Sequence, residues 1–233
     1  MKKDEVRSRI TEVGIIPVLQ ASSLEEARFA VGALAEGGIP IVEFAVLDPR
    51  ALETLREFVR SSTNVLIGAG TIRDRDTARR AIDAGAEFLV TPDVGLETVK
   101  VGVEEDKFVM AGALTASEVL TAWNAGSDFV KIFPCAQVGG PHYIRALKGP
   151  FPDIPLVPTG GVNLNTAGDF ILAGAAALGV GAELVMKQAV KSRAHDVIRD
   201  LARRFVHAVH EARSNMPHTN HARARAHPDH RTT

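Results

Sequence analysis

The chain has 233 residues, 45% of them apolar, which is enough to bury the core of one sizeable domain. Its formal net charge of −1 argues against a general binder of nucleic acid or membrane surfaces. The lone cysteine, Cys135, rules out an internal disulfide and fits a reducing, cytoplasmic setting. The opening stretch MKKDEVRSRI lacks the apolar run of a signal peptide. The apolar stretches near 39–47 and 170–186 are broken by Gly, Glu or Asp, so neither reads as a membrane span.

In chain order, short β-rich runs alternate with longer helical patterns. The runs are Ile15–Leu19, Ile39–Val46, Val65–Ala69, Phe88–Thr91, Phe108–Ala111, Phe129–Phe133, Leu156–Pro158 and Ala177–Val180. Eight strands, each followed by a helix, imply a parallel sheet. Ser23–Glu26 and Thr115–Glu118 have the spacing of capping boxes, and Asn165 is placed to cap the helix after the seventh strand. Small-residue turns at Gly37-Gly38, Ala84-Gly85-Ala86, Ala125-Gly126-Ser127 and Ala173-Gly174-Ala175 recur every roughly 41–48 residues, about two β/α units of a barrel. The fold class that follows is α/β, a single-domain (β/α)8 TIM barrel over 1–212 with N- and C-terminal helices. An open doubly wound sheet is the rival, but no G-x-G-x-x-G follows the first strand. Residues 191–212 read as a terminal helix. Residues 213–233, polar and rich in His and Arg, read as a disordered tail. His218, His221, His227 and His230 have no framework around them for a metal site.

Two charges stand alone in apolar strands. Lys131 lies in Asp-Phe-Val-Lys-Ile-Phe-Pro and Glu43 in Ile-Pro-Ile-Val-Glu-Phe-Ala-Val. Strands of a parallel sheet are covered on both faces, so a mid-strand ammonium belongs in the barrel interior or at its mouth. Burial disfavours the charged form, and a neutral amine is a nucleophile toward ketones. A lysine at the strand end, reaching to water, is the plain alternative. A carboxylate beside such an amine moves protons in imine chemistry. A structural buried ion pair is the alternative for the two together, though such pairs stabilise poorly relative to apolar replacements. Gly-rich strand ends at Ile67–Thr71 and Pro158–Val162 expose backbone N–H groups suited to a carboxylate or phosphate, although ordinary tight turns look the same. Cys135 reads as a small buried hydrophobe, and His142 and His195 fall on helices with no role assigned.

Six segments occur in order: Gly37–Glu43, Ile67–Thr71, Gly85–Pro92, Lys131–Pro134, Lys148–Phe151 and Pro158–Gly161. Together they closely resemble the KDPG/KHG aldolase family over roughly residues 5–205. The resemblance implies a class I aldehyde-lyase of carbohydrate metabolism, cleaving a 2-keto-3-deoxy-6-phosphosugar acid or 4-hydroxy-2-oxoglutarate to pyruvate and an aldehyde. It implies a Schiff base on Lys131 and acid/base work by Glu43. Thr71 and Thr159 would orient the pyruvate carboxylate and the imine region, Pro92 would line the pocket, and Gly160 and Gly161 would donate to the phosphate end. No metal and no other cofactor is implied. The expected partner is a small-molecule 2-keto acid, with neither nucleic acid nor membrane, and the expected assembly is a homotrimer.

This chain departs from the family's usual residues at Gln20, often Arg, and at Ala45, often Thr or Ser. Leu47 stands where some members carry Arg or Thr, and Ala182 where many carry Ser. The stretch Phe44–Arg50 is unlike the family. The expectation is imine chemistry with a weakened preference for phosphorylated substrates, so that 4-hydroxy-2-oxoglutarate competes better. The alternatives are a phosphate-binding barrel isomerase using Glu43 without an imine, and a non-enzymatic scaffold subunit.

Overall fold

The computed structural model describes residues 1–62 and 64–216. Eight strands alternate with helices: β1 (Ile15–Leu19), α2 (Leu24–Glu36), β2 (Ile41–Ala45), α3 (Pro49–Ser61), β3 (Leu66–Gly70), α4 (Arg75–Asp83), β4 (Phe88–Val90), α5 (Leu96–Glu104), β5 (Phe108–Ala113), α6 (Ala116–Asn124), β6 (Phe129–Ile132), α7 (Pro141–Lys148), β7 (Leu156–Pro158), α8 (Leu164–Leu172) and β8 (Leu178–Val180). A helix α1 (Lys3–Val13) precedes them, and α9 (Lys187–Lys191) and α10 (His195–Ser214) follow. All strand pairs are parallel, in the order β7-β6-β5-β4-β3-β2-β1-β8. A parallel bridge from Thr159 to Gly179 joins the two edges, which makes the sheet a (β/α)8 barrel.

Period-two alternation sorts each strand's side chains into two cores. Val42, Phe44, Ile67, Leu89, Val109, Val130 and Ile132 pack outward into the layer shared with the helices. Ile16, Ile41, Leu66, Phe88, Val90, Phe108, Met110, Phe129 and Val157 form the inner core, together with Val6 and Ile10 of α1. Thus α1 plugs the N-terminal end of the barrel. Asp128 fixes it there: its carboxylate accepts from the Val109 N–H at 2.9 Å, while Lys3 and Arg7 of α1 reach it at 3.0 and 3.1 Å. Arg213, near the end of α10, donates to the Glu12 and Thr11 carbonyls at 2.8 and 2.7 Å, so both terminal helices brace each other.

The capping expectations hold with two shifts. Thr115 and Glu118 form a full capping box. Ser23 accepts from the Glu26 N–H, but the Glu26 carboxylate turns to Ser22, whose hydroxyl and N–H it accepts at 2.6 and 2.9 Å. Asn163, not Asn165, caps α8: the helix begins at Leu164, and the Asn165 N–H donates to the Asn163 side chain at 2.9 Å. The glycines after α2, α4, α6 and α8 adopt left-handed backbone, at Gly38, Gly85, Gly126 and Gly174. The terminal helix expected over 191–212 is α10, which starts at His195 and runs to Ser214; Lys191 instead ends the separate α9, and Arg193 between them takes a left-handed φ of 55°. The four histidines of the tail lie outside the described residues. Among the described residues no helix is long and apolar enough to cross a membrane.

Candidate active site

Lys131 is the third residue of β6 and Glu43 the third of β2, strands on opposite sides of the barrel. Both share the inward parity of Phe129 and Ile41, so the alternation that buries those apolar groups also drives the two charges inside. Lys131 Nζ stands 3.4 Å from Glu43 Oε1, with 7% and 2% of the respective side chains exposed. The ring of Phe133, two residues beyond Lys131, has its centre 5.6 Å from Nζ and keeps 40% of its surface exposed. That ring was not singled out from sequence, though its two-residue spacing from Lys131 is the signal that would have found it.

Glycine makes room for this arrangement. A Cβ on Gly70 would collide with Glu43 Oε1, and one on Gly179 with the Thr159 hydroxyl. A Cβ on Gly112, the register neighbour of Lys131, would stand 2.5 Å from the Pro92 carbonyl carbon. Pro92 therefore sits hard against the strand beside the lysine. Thr91 holds it there, accepting from the Gly112 N–H at 3.0 Å and donating to the Asp93 carbonyl at 2.5 Å.

Thr159 is buried one residue beyond β7, in the site's wall. Gly160 and Gly161 follow with φ of 85° and 82°, conformations that favour glycine, and pack against Phe133, Pro134 and Ala136. The Thr159–Gly179 bridge engages the backbone at Gly160, while the Gly161 N–H has no backbone acceptor among the described residues and is available to an anion. Thr71, immediately after Gly70, is half-buried and lines a cleft off the barrel mouth. The barrel thus gathers Lys131, Glu43, Pro92 and Thr159 at its C-terminal mouth, with Thr71 and the glycine pair on the rim. Of the positions that depart from the resemblance, Gln20, Leu47 and Ala182 are exposed just past β1, β2 and β8, while Ala45 is buried at the end of β2.

Cys135 is fully buried, its Sγ is 3.8 Å from the Gly140 carbonyl, and burial pushes its thiol up to about 12. It is therefore a protonated, unreactive thiol at neutral pH. The Lys148–Phe151 segment is structural: Lys148 Nζ donates to the Pro152 and Ile154 carbonyls at 2.6 and 2.9 Å, holding the turn before β7. Among the described residues no group of three or more His, Cys, Asp or Glu side chains is placed to hold a metal ion.

A closed barrel with an interior lysine beside an interior carboxylate, opening among glycine-rich strand ends, defines a class of protein built for carbonyl chemistry on small oxygenated molecules. The family model "KDPG and KHG aldolase" matches residues 6–201. A 2-dehydro-3-deoxy-phosphogluconate aldolase of Pseudomonas aeruginosa is 34% identical over 160 residues, 69% of this chain and 73% of its own length. Among solved structures, a KDPG aldolase from Legionella pneumophila holding pyruvate as a covalent carbinolamine superposes with a TM-score of 0.79. It is 28% identical, over 84% of this chain and 96% of that one. A cube-shaped cage designed by fusing symmetric oligomeric domains also superposes at 0.79 and is 31% identical, over 87% of this chain and 74% of that one. The chain belongs to the KDPG and KHG aldolase family, whose members are carbon–carbon lyases of the Schiff-base class. Nothing in the barrel favours the isomerase or scaffold alternatives.

Proposed function

We propose that this aldolase cleaves a 2-keto-3-deoxy-6-phosphosugar acid or 4-hydroxy-2-oxoglutarate to pyruvate and an aldehyde, with Lys131 as the Schiff-base residue and Glu43 as the acid/base group. The observation that carries the assignment is the 3.4 Å contact between two charges in an otherwise apolar barrel interior. Lys131 Nζ attacks the C2 carbonyl to give a carbinolamine, and loss of water leaves a protonated imine. Glu43, through a water, takes the proton of the C4 hydroxyl. The C3–C4 bond breaks, its electron pair flows to the imine nitrogen, and the aldehyde departs from an enamine. Protonation at C3 and hydrolysis of the imine release pyruvate and restore the amine. Thr71 and Thr159 orient the keto acid, Pro92 walls the pocket beside Lys131, and the turn at Gly160 and Gly161 receives the distal phosphate. The unit is the 1–212 barrel, working in the cytoplasm as a homotrimer. Its kinship with a chain built from symmetric oligomeric domains supports self-association.

Sodium borohydride added with pyruvate tests the central step. One reduced pyruvyl adduct per chain is expected, on the Lys131 peptide by mass spectrometry. An unmodified Lys131 in protein that still turns over would overturn the assignment.

A further inference from the structure

Period-two alternation carries β6 past its last residue, so Phe129, Lys131 and Phe133 share one parity. Phe129 is buried in the floor of the barrel, whereas Phe133 reaches the mouth with 40% of its surface exposed. Backbone bonds hold Phe133 there from both sides. Its N–H donates to the Ala113 carbonyl of β5 at 3.1 Å. The next two amide N–H groups, of Cys135 and Ala136, donate to the Thr159 and Gly160 carbonyls at 2.8 and 3.0 Å. The ring also takes up the room that a side chain at Gly160 would need, since a Cβ there would stand 3.2 Å from Phe133 Cδ2. One edge of the ring is thus packed against the turn after β7, while Lys131 Nζ stands over the ring, 5.6 Å from its centre.

An aromatic face carries negative potential and attracts a cation within about 6 Å of its centre. Lys131 Nζ therefore has two electrostatic neighbours of different kinds. Glu43 is a carboxylate that gains and loses protons, and the Phe133 ring is a quadrupole that never titrates. Imine chemistry makes that difference matter. Nζ bonds to C2 of the keto acid, water leaves, and the nitrogen holds a positive charge until an electron pair returns to it. Glu43 loses its negative charge whenever it takes the substrate's proton. The ring keeps its potential throughout.

We infer that Phe133 is a catalytic residue whose exposed π face stabilises the protonated imine on Lys131 Nζ. The inference rests on the aldolase reading above and adds a second electrostatic partner for the reacting nitrogen. The carbinolamine is neutral and the iminium charged, so a cation-binding face favours the second over the first. The effect therefore belongs in kcat and not in KM. It also gives a reason for pyruvate trapping on Lys131 to continue when position 43 is neutral, and for a large apolar side chain to stay open at the mouth.

Exchange of the pyruvate methyl protons in D2O reads the iminium. A C3 proton passes to Glu43, the C–H pair forms the C2–C3 double bond of the enamine, and the C2=N pair returns to nitrogen. Deuteration at C3 and reversal give labelled pyruvate. The kcat for exchange at saturating pyruvate is followed by NMR on the parent and on Phe133→Leu. It is also followed on chains carrying mono-, di- and trifluorinated phenylalanine at position 133, placed by amber suppression. Fluorine withdraws charge from the face with little change of shape. The kcat should fall stepwise along the fluorine series, and by roughly two- to thirty-fold in Phe133→Leu, the loss of one cation–π contact. A fluorine series flat within about twofold would overturn the proposal even where Phe133→Leu is slow, because the ring then acts by packing alone. Borohydride trapping with pyruvate on the parent runs in parallel. A Lys131 adduct together with a flat series removes the ring's role and leaves the aldolase reading standing. No adduct on the parent overturns the aldolase reading and the ring's role with it.

Discussion

At the scale of single residues, the site depends on one carboxylate and on the glycine that leaves it space. In Glu43→Gln the amide keeps the shape but cannot take the C4 proton. Turnover should fall about 10²-fold or more, while pyruvate trapping on Lys131 persists. Parent-like turnover would make Glu43 a structural partner of Lys131 and move the proton shuttle elsewhere. Gly70 should be coupled to it. A methyl at Gly70 overlaps Glu43 Oε1, so Gly70→Ala should displace the carboxylate and slow the parent enzyme. The same change in the Glu43→Gln background should cost far less, because the group it displaces is already inactive. A double-mutant cycle reads this directly, and simple additivity would show that Gly70 acts through something other than Glu43.

At the scale of elements, the helix caps hold the turns that frame the mouth. The Glu118 carboxylate accepts from the Thr115 and Leu114 N–H groups, and these bonds hold it below the usual carboxylate value. A lowered folded-state pKa contributes stability that is present above the unfolded value and lost as pH falls through the folded one. Glu118→Ala should therefore cost about 1 kcal/mol at neutral pH. The gap between variant and parent should narrow as pH drops below 4.5, the group's ordinary value. Urea unfolding across that range measures it. A constant gap would mean that the lost stability comes from packing and not from the ionised cap.

At the scale of the whole molecule, α1 closes a barrel whose floor is otherwise apolar. Ile16, Leu66, Phe88 and Phe108 would meet water without it. Asp128 joins this plug to the barrel by its bond to the Val109 N–H and its pairs with Lys3 and Arg7. Asp128→Ala strands a buried N–H while its two cationic partners, more exposed, turn back to water. The expected loss is about 1–3 kcal/mol, read from denaturant unfolding, with Lys131 trapping preserved in the folded protein. A change below about 0.5 kcal/mol would show that apolar packing alone seats α1.

The sequence by itself determined the barrel. Eight β-rich runs alternating with capped helices leave few other ways to bury that much apolar surface, and the observed strands differ from the expected runs by a residue or two at their ends. It also marked Lys131 and Glu43, because a lone charge in an apolar strand stands out whatever the fold. Local pattern misjudged what neighbours decide: Asn163 outcompeted Asn165 for the α8 cap, and the terminal helix starts at His195, four residues later than expected, after the left-handed turn at Arg193. The tertiary structure alone decided what depends on distance between strands far apart in sequence. Lys131 and Glu43 are 88 residues apart, and only closure of the barrel brings them within 3.4 Å. The reason that Gly70, Gly112 and Gly179 must be glycine is likewise invisible along the chain. Each yields its side-chain volume to a group on another strand or its loop, and steric exclusion of that kind exists only once the strands are side by side.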